Sequence, residues 1–329
     1  LAVVKADAYG HGLMRVLPAL ADADGIALIE LDTAVRLRER GERRPILLLE
    51  GFFEASELET FAAQSLASVV HCVEQVEMLE RATLSHPLDV HFKINTGMNR
   101  LGIAPMQAPA FAERLVRSRN VASLSLMTHF ARADDAEGIA TPLARFESAC
   151  EGLAFPRSLA NSAALVRHGA AGGDAVRPGI MLYGATPLAD RSARDLGLSP
   201  VMTLRSKLIG VQTLEAGASV GYGATFTATR TTRIGIVACG YADGYPRHAP
   251  NGTPVLVNGR RVPMAGRVSM DMITVDVSSL PDAMVGSEVV LWGDGLPVDE
   301  VANAAGTVGY ELLCAVAPRV PFIVHAHGG

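Results

Sequence analysis

Short apolar runs rich in Val, Ile and Leu recur through the N-terminal half of the chain, at 1–6, 25–30, 45–50, 67–71, 88–95, 124–130, 158–162 and 175–179. This recurrence limits the fold more than any other feature. Between the runs lie stretches with helical spacing and Ala, Leu, Glu and Arg composition, as at 32–40, 54–64, 74–81, 106–117 and 140–153. Strands covered by helices on both faces read as continuous apolar runs rather than as alternating ones. Eight such β/α units in roughly 200 residues predict an α/β fold built on a closed (β/α)8 TIM-type barrel. A doubly wound open sheet is the alternative.

After Pro200 the texture changes. Runs at 202–214, 233–239, 253–257, 261–265, 272–277 and 288–292 read as strands joined by Gly, Pro and Asn turns, without helices between them. The expected organisation is a barrel over 1–199 followed by a C-terminal mostly-β domain over 200–329. Composition narrows the partners. The chain is 49% hydrophobic but has no uninterrupted apolar run of ~18 residues, so no membrane segment is expected. Its net charge of -5, with scattered arginines, argues against nucleic acid and for a small ligand. Cys72, Cys150, Cys239 and Cys314 lie far apart without C-x-x-C spacing, and no secretory signal opens the chain. Reduced thiols and a cytoplasmic location are therefore expected. Because Leu1 lies inside an apolar run and is not a methionine, a preceding segment outside this numbering is also expected.

Barrel enzymes build their active sites at the C-terminal ends of the strands. The runs end at or near Lys5, Glu30, Glu50, His71, Lys93, His129, Asn161, Ser162 and Arg177. Only three of the 29 basic residues are lysines, namely Lys5, Lys93 and Lys207. A lysine kept in so arginine-rich a chain is a candidate for chemistry that a guanidinium cannot do, since an ammonium can lose its proton and become a nucleophile. Lys5 stands at a strand end over the turn Ala6-Asp7-Ala8-Tyr9-Gly10-His11-Gly12, where partial desolvation favours the neutral amine that a carbonyl cofactor needs. The plainer reading is a lysine paired with Asp7 or a neighbouring glutamate. Tyr9 could offer a phenol to a phosphate or pack on the first helix, and spacing does not choose between these. Val176-Arg177-Pro178-Gly179-Ile180 follows the eighth run, where such barrels often bind phosphate, although Gly after Pro is also ordinary turn chemistry.

Ala2-Val3-Val4-Lys5-Ala6-Asp7-Ala8-Tyr9-Gly10-His11-Gly12 resembles the pyridoxal-phosphate attachment signature of the alanine racemases, enzymes of fold type III. Other segments are similar to family motifs in order and spacing: Lys93-Ile94-Asn95-Thr96-Gly97-Met98-Asn99-Arg100-Leu101-Gly102, Thr128-His129-Phe130, Asn161-Ser162, Arg177-Pro178-Gly179, Gly221-Tyr222-Gly223-Ala224, Gly240-Tyr241-Ala242-Asp243-Gly244, Val268-Ser269-Met270-Asp271 and Tyr310-Glu311-Leu312-Leu313. The resemblance covers essentially the whole chain and implies a barrel followed by a β domain, the organisation read above from periodicity.

It further implies racemisation of alanine by two bases, for peptidoglycan supply or catabolism. Lys5 would anchor pyridoxal 5'-phosphate and serve the D enantiomer, while Tyr222 would serve the L enantiomer from the opposite face. A phenol is a poor base at its reference pKa of ~10, so His129 and Arg177 would help stabilise its phenolate. Arg177 would also face the pyridine nitrogen. Arg100 and the Met270 amide would hold the substrate carboxylate, with Asp271 in support. Lys93 matches a lysine that is carbamylated in some members. Tyr9, Ser162, Arg177, Gly179, Ile180 and Tyr310 match cofactor-binding positions, and Tyr241 and Tyr310 match residues that narrow the entrance. Tyr222 would reach the barrel of a partner subunit, giving a head-to-tail homodimer. No metal is implied. Ser269 stands where many relatives carry cysteine, and Phe322 stands where arginine is usual. The alternatives are a broad-specificity amino-acid racemase, a related fold type III decarboxylase, and a metal-dependent barrel hydrolase using Lys93, His71 and His129. The last would leave Lys5 and Tyr222 without roles.

Overall fold

Eight parallel strands pair in sequence order: β1 (Ala2–Val3), β2 (Ile26–Leu28), β3 (Ile46–Leu48), β4 (Ala67–Val70), β5 (Leu88–Lys93), β6 (Val121–Met127), β7 (Arg157–Asn161) and β8 (Ala175–Arg177). The computed structural model describes residues 1–135 and 137–325. Strand order runs from first to last without the reversal that a doubly wound sheet requires. The Val3 amide donates to the Pro178 carbonyl at 3.0 Å, joining the first strand to the segment after the last and closing the barrel.

The helices between these strands follow from their apolar spacing. In Ala108–Arg117, residues Ala108, Phe111, Ala112 and Leu115 fall on one face and are all buried. Leu31–Glu39 buries Ala34 and Leu37 and carries Asp32 in its first turn and Arg36 and Arg38 in its last, charges that complement the helix dipole. The segment read as one helix over 54–64 is a 3-10 turn, Ala55–Glu57, running into a helix, Leu58–Ala63. Among the described residues, no helix is long and apolar enough to cross a membrane.

The chain divides into two compact units. Leu1–Ala8, Val16–Leu182 and Pro187–Ala189 form the first; Tyr9–Arg15, Tyr183–Thr186 and the chain from Asp190 form the second. The second contains an antiparallel sheet of β9 (Leu204–Leu214), β12 (Thr232–Val237), β13 (Pro254–Val257), β14 (Arg260–Pro263), β15 (Ile273–Asp276) and β16 (Glu288–Trp292), ordered β14-β13-β16-β9-β12-β15. A separate hairpin pairs β10 (Ser219–Val220) with β11 (Phe226–Thr227). Val255, Val257, Val275, Leu291 and Trp292 are fully buried in this unit. Two short helices, Val298–Ala304 and Gly309–Cys314, follow the last strand.

Candidate active site

The residues predicted at the barrel rim lie at one end of the parallel sheet, because each ends or follows a strand. Lys5 comes two residues after β1, Lys93 ends β5, His129 follows β6, Asn161 ends β7 and Arg177 ends β8. Lys93 and Arg177 are buried, at 6% and 3% exposure. Arg177 donates from Nη1 to Ser158 Oγ at 2.6 Å and from Nη2 to the carbonyls of Thr128 at 2.7 Å and Leu159 at 3.3 Å. All three acceptors are neutral. Among the described residues, no carboxylate pairs with Lys5, Lys93, Arg100 or Arg177.

This density of positive charge perturbs the neighbours. Burial, then the charges of Arg100, Arg177 and Lys5, lower the Lys93 ammonium to about 8, with Glu50 opposing. Burial, then Arg177, Lys93, Arg100 and Lys5, lower His129 to about 3. Its ring is therefore neutral near pH 7, and its Nε2 faces the Asn161 amide at 3.4 Å as an acceptor. The rim suits an anion. It offers four cations and a neutral imidazole, with Lys93 much closer to losing its proton than an exposed lysine.

Local hydrogen bonds set these positions. Thr128 Oγ1 meets Thr96 Oγ1 at 2.8 Å and donates to the Ile94 carbonyl at 2.9 Å, tying the strand that precedes His129 to the loop that carries Arg100. Asn95 Oδ1 accepts from the Gly97 and Asn99 amides at 3.1 and 3.0 Å, which folds that loop into a tight turn. Asn161 caps the helix Ser162–Arg167 by accepting from the Ala164 amide at 3.0 Å, and the Gly179 amide donates to Ser162 Oγ at 2.7 Å. Ile180 begins the 3-10 turn Ile180–Tyr183. Ser162 and Gly179 are therefore direct neighbours. His71 binds the Glu50 carbonyl through Nε2 at 3.1 Å. Periodicity gave no sign of Ser158 or Thr128, whose value lies in the guanidinium they hold.

The remaining candidates belong to the second unit. The Tyr9 ring lies 4.8 Å from Tyr183 and 5.9 Å from Tyr310, and burial raises the Tyr9 phenol to about 12, so it is a neutral donor. Tyr222 occupies the tip of the β10–β11 hairpin between Gly221 and Gly223, both at positive φ, and is 71% exposed. Tyr241 and Met270 sit on two loops bonded to each other, with the Tyr241 amide donating to Ser269 at 3.0 Å and the Ala242 amide to Met270 at 2.9 Å. Asp271 accepts from Arg319 at 2.7 Å. Phe322, where the family pattern has arginine, lies 4.0 Å beneath the Arg15 guanidinium, a position a second guanidinium would not favour.

Comparison with known proteins identifies the family. The family model described as alanine racemase, N-terminal domain, matches residues 1–187, and the model for the C-terminal domain matches 201–324. An alanine racemase of Nitrosospira multiformis is 58% identical over 97% of this chain and 90% of its own length. The crystal structure of the biosynthetic alanine racemase from Pseudomonas aeruginosa is 53% identical and superposes with a TM-score of 0.95 over 98% of this chain and 90% of that one. That of the Bartonella henselae alanine racemase, with covalently bound pyridoxal phosphate, is 27% identical at a TM-score of 0.86 over 97% and 90% of the two chains. On the strength of a strand-end lysine in a cationic barrel rim and of matches spanning both units, this chain belongs to the alanine racemase family.

Proposed function

We propose that the chain interconverts L- and D-alanine on pyridoxal phosphate anchored at Lys5, with Lys5 and Tyr222 as bases on opposite faces of the substrate. The observation that carries the reading is the group of four cations at the barrel rim, Lys5, Lys93, Arg100 and Arg177, without a carboxylate partner among the described residues. These residues fit a phosphorylated cofactor: they supply an amine for covalent attachment and cationic surroundings for its anionic groups, beside Ser162 and Gly179, whose hydroxyl and amide already meet. Bound there, the cofactor withdraws electrons from the substrate α-carbon and makes its proton removable.

Tyr9, Ser162, Gly179, Ile180 and Tyr310 would hold the phosphate. Arg177 would face the ring nitrogen, and because it keeps its proton at neutral pH it would leave that nitrogen unprotonated and restrain side reactions. Arg100 and the Met270 amide would orient the carboxylate, with Asp271 steadying Met270. Lys93, with its lowered proton affinity, is suited to carbamylation: its neutral Nζ adds to carbon dioxide, an N–C bond forms and one proton leaves to solvent. The resulting anion would orient Arg100. Tyr241 and Tyr310 would narrow the entrance to alanine-sized side chains.

Tyr222 would act from the β domain spanning 200–329 on the 1–199 barrel of a partner subunit, in a head-to-tail homodimer. Its exposure supports this, since a phenol largely open to solvent in its own chain can reach a site elsewhere. The four free cysteines support work in the reducing cytoplasm.

The deciding experiment is polarimetry on protein supplied with pyridoxal phosphate, using alanine, serine and lysine, combined with borohydride reduction and peptide mapping. Loss of rotation with alanine and a reduced adduct on Lys5 are expected. Unchanged rotation, or an adduct on another lysine, would overturn the reading.

A further inference from the structure

Arg319 joins two loops that meet nowhere in sequence. Its Nε donates to Asp243 Oδ1 and its Nη2 to Asp271 Oδ1, both at 2.7 Å. Asp243 also accepts from the Gly240 amide at 2.9 Å, which fixes the start of the turn Tyr241–Asp243. The two loops are back to back: a Cβ added at Gly240 would lie 2.3 Å from the Ser269 carbonyl and 2.4 Å from that of Met270. Burial works to raise the Asp243 carboxyl, but its bonds from Arg319 and Gly240 and the Arg319 charge hold it below the usual range. Among the described residues, the Met270 amide has no hydrogen-bond acceptor, so it is available to a ligand.

We propose that Arg319 is a positioning residue for the racemase reaction: by bridging Asp243 and Asp271 it fixes the Met270 amide relative to the Tyr241 ring. That separation sets how firmly a small carboxylate is gripped and how large a side chain is admitted. The inference rests on the reading in which Met270 and Tyr241 face the substrate. Without the cation, two carboxylates would face each other across the junction and repel, and the loops would part. An exposed ion pair contributes little to stability, so the expected effect lies in substrate handling rather than in folding. The fork of a guanidinium reaches both carboxylates at once, whereas an ammonium is a point charge.

The test uses the holoenzyme with Arg319→Met and Arg319→Lys. For Arg319→Met, KM for alanine should rise about tenfold with kcat within about twofold, a change of roughly 1.4 kcal/mol in ground-state grip. The ratio of kcat/KM for serine to that for alanine should rise, and Arg319→Lys should fall between the two. Amide hydrogen exchange at Tyr241 and Ala242, read on the same samples, should quicken in Arg319→Met. Unchanged exchange overturns the proposal. So does faster exchange with unaltered KM and substrate ratio, which would make the bridge merely structural. A parent protein that leaves alanine unracemised sinks the underlying reading instead, and the parent control separates that outcome.

Discussion

The Arg177 guanidinium donates to the Ser158 hydroxyl at 2.6 Å, and both side chains are buried. Burial lowers the guanidinium to about 10, so it remains charged at neutral pH. Its partners are a hydroxyl and two carbonyls, which satisfy its N–H groups without cancelling the charge. A buried cation held by dipoles keeps its field for whatever faces it at the rim. Removing the Ser158 hydroxyl leaves one charged donor unsatisfied in the interior. Ser158→Ala should therefore cost about 1.5–3 kcal/mol in urea unfolding. A change below ~0.5 kcal/mol would mean that water replaces the hydroxyl.

Lys93 predicts a distinctive pH dependence. Its folded-state value is about 8 against 10.5 for a free lysine, for reasons of burial and then of Arg100, Arg177 and Lys5. The unfolded chain binds more protons between those values, so stability should rise as pH climbs from about 8 to 10.5. Below pH 8 the full cost of the buried ammonium is present. Lys93→Met should stabilise the cofactor-free protein at pH 7 by on the order of 2–3 kcal/mol and flatten that rise in stability. In labelled bicarbonate, the parent should give a carbamate carbon signal that Lys93→Met abolishes.

Much of the fold was legible in the chain because strands buried on both faces leave continuous apolar runs. Even the short runs at 158–162 and 175–179 correspond to β7 and β8. The left-handed turn after Lys5 left no such trace. Ala6, Asp7, Ala8 and Tyr9 all have φ between 50 and 56°, which costs non-glycine residues about 1–2 kcal/mol each and is imposed by tertiary context. The helices Val298–Ala304 and Gly309–Cys314 escaped notice because six or seven residues show little periodicity. The signal was Pro297 ahead of Asp299 and Glu300, a helix start. Long-range pairs such as Arg319 with Asp243 lie 76 residues apart, and no local pattern encodes them.

Two of the three histidines whose proton affinity is lowered, His91 and His129, predict acid sensitivity. His129 is lowered to about 3 by burial and then by its four cationic neighbours, and His91 to about 4 by burial and then by Arg177. Each is protonated in the unfolded chain at a pH where the folded protein resists it. Stability should fall as pH drops from 6.5 toward these values. His129→Gln should retain on the order of 2–3 kcal/mol more stability at pH 4 than expected from its change at pH 7. Parallel pH profiles for parent and variant would remove the buried imidazole from this role.

In the proposed reaction Tyr222 and Lys5 work from opposite faces, which makes Tyr222 testable on its own. Its ring is 71% exposed and its hydroxyl has no partner among the described residues, so Tyr222→Phe should leave urea stability within ~0.5 kcal/mol of the parent. Losing one of two bases should lower racemisation about 10²–10⁴-fold. The equilibrium between enantiomers is unity, so kcat/KM must fall equally in both directions. The asymmetry appears in isotope exchange: in deuterated water Lys5 should still exchange the α-proton of D-alanine, while exchange from L-alanine is lost. Mass spectrometry of each enantiomer after incubation reads both rates. Equal exchange from the two enantiomers would take the proton of L-alanine away from Tyr222 and give it to another group.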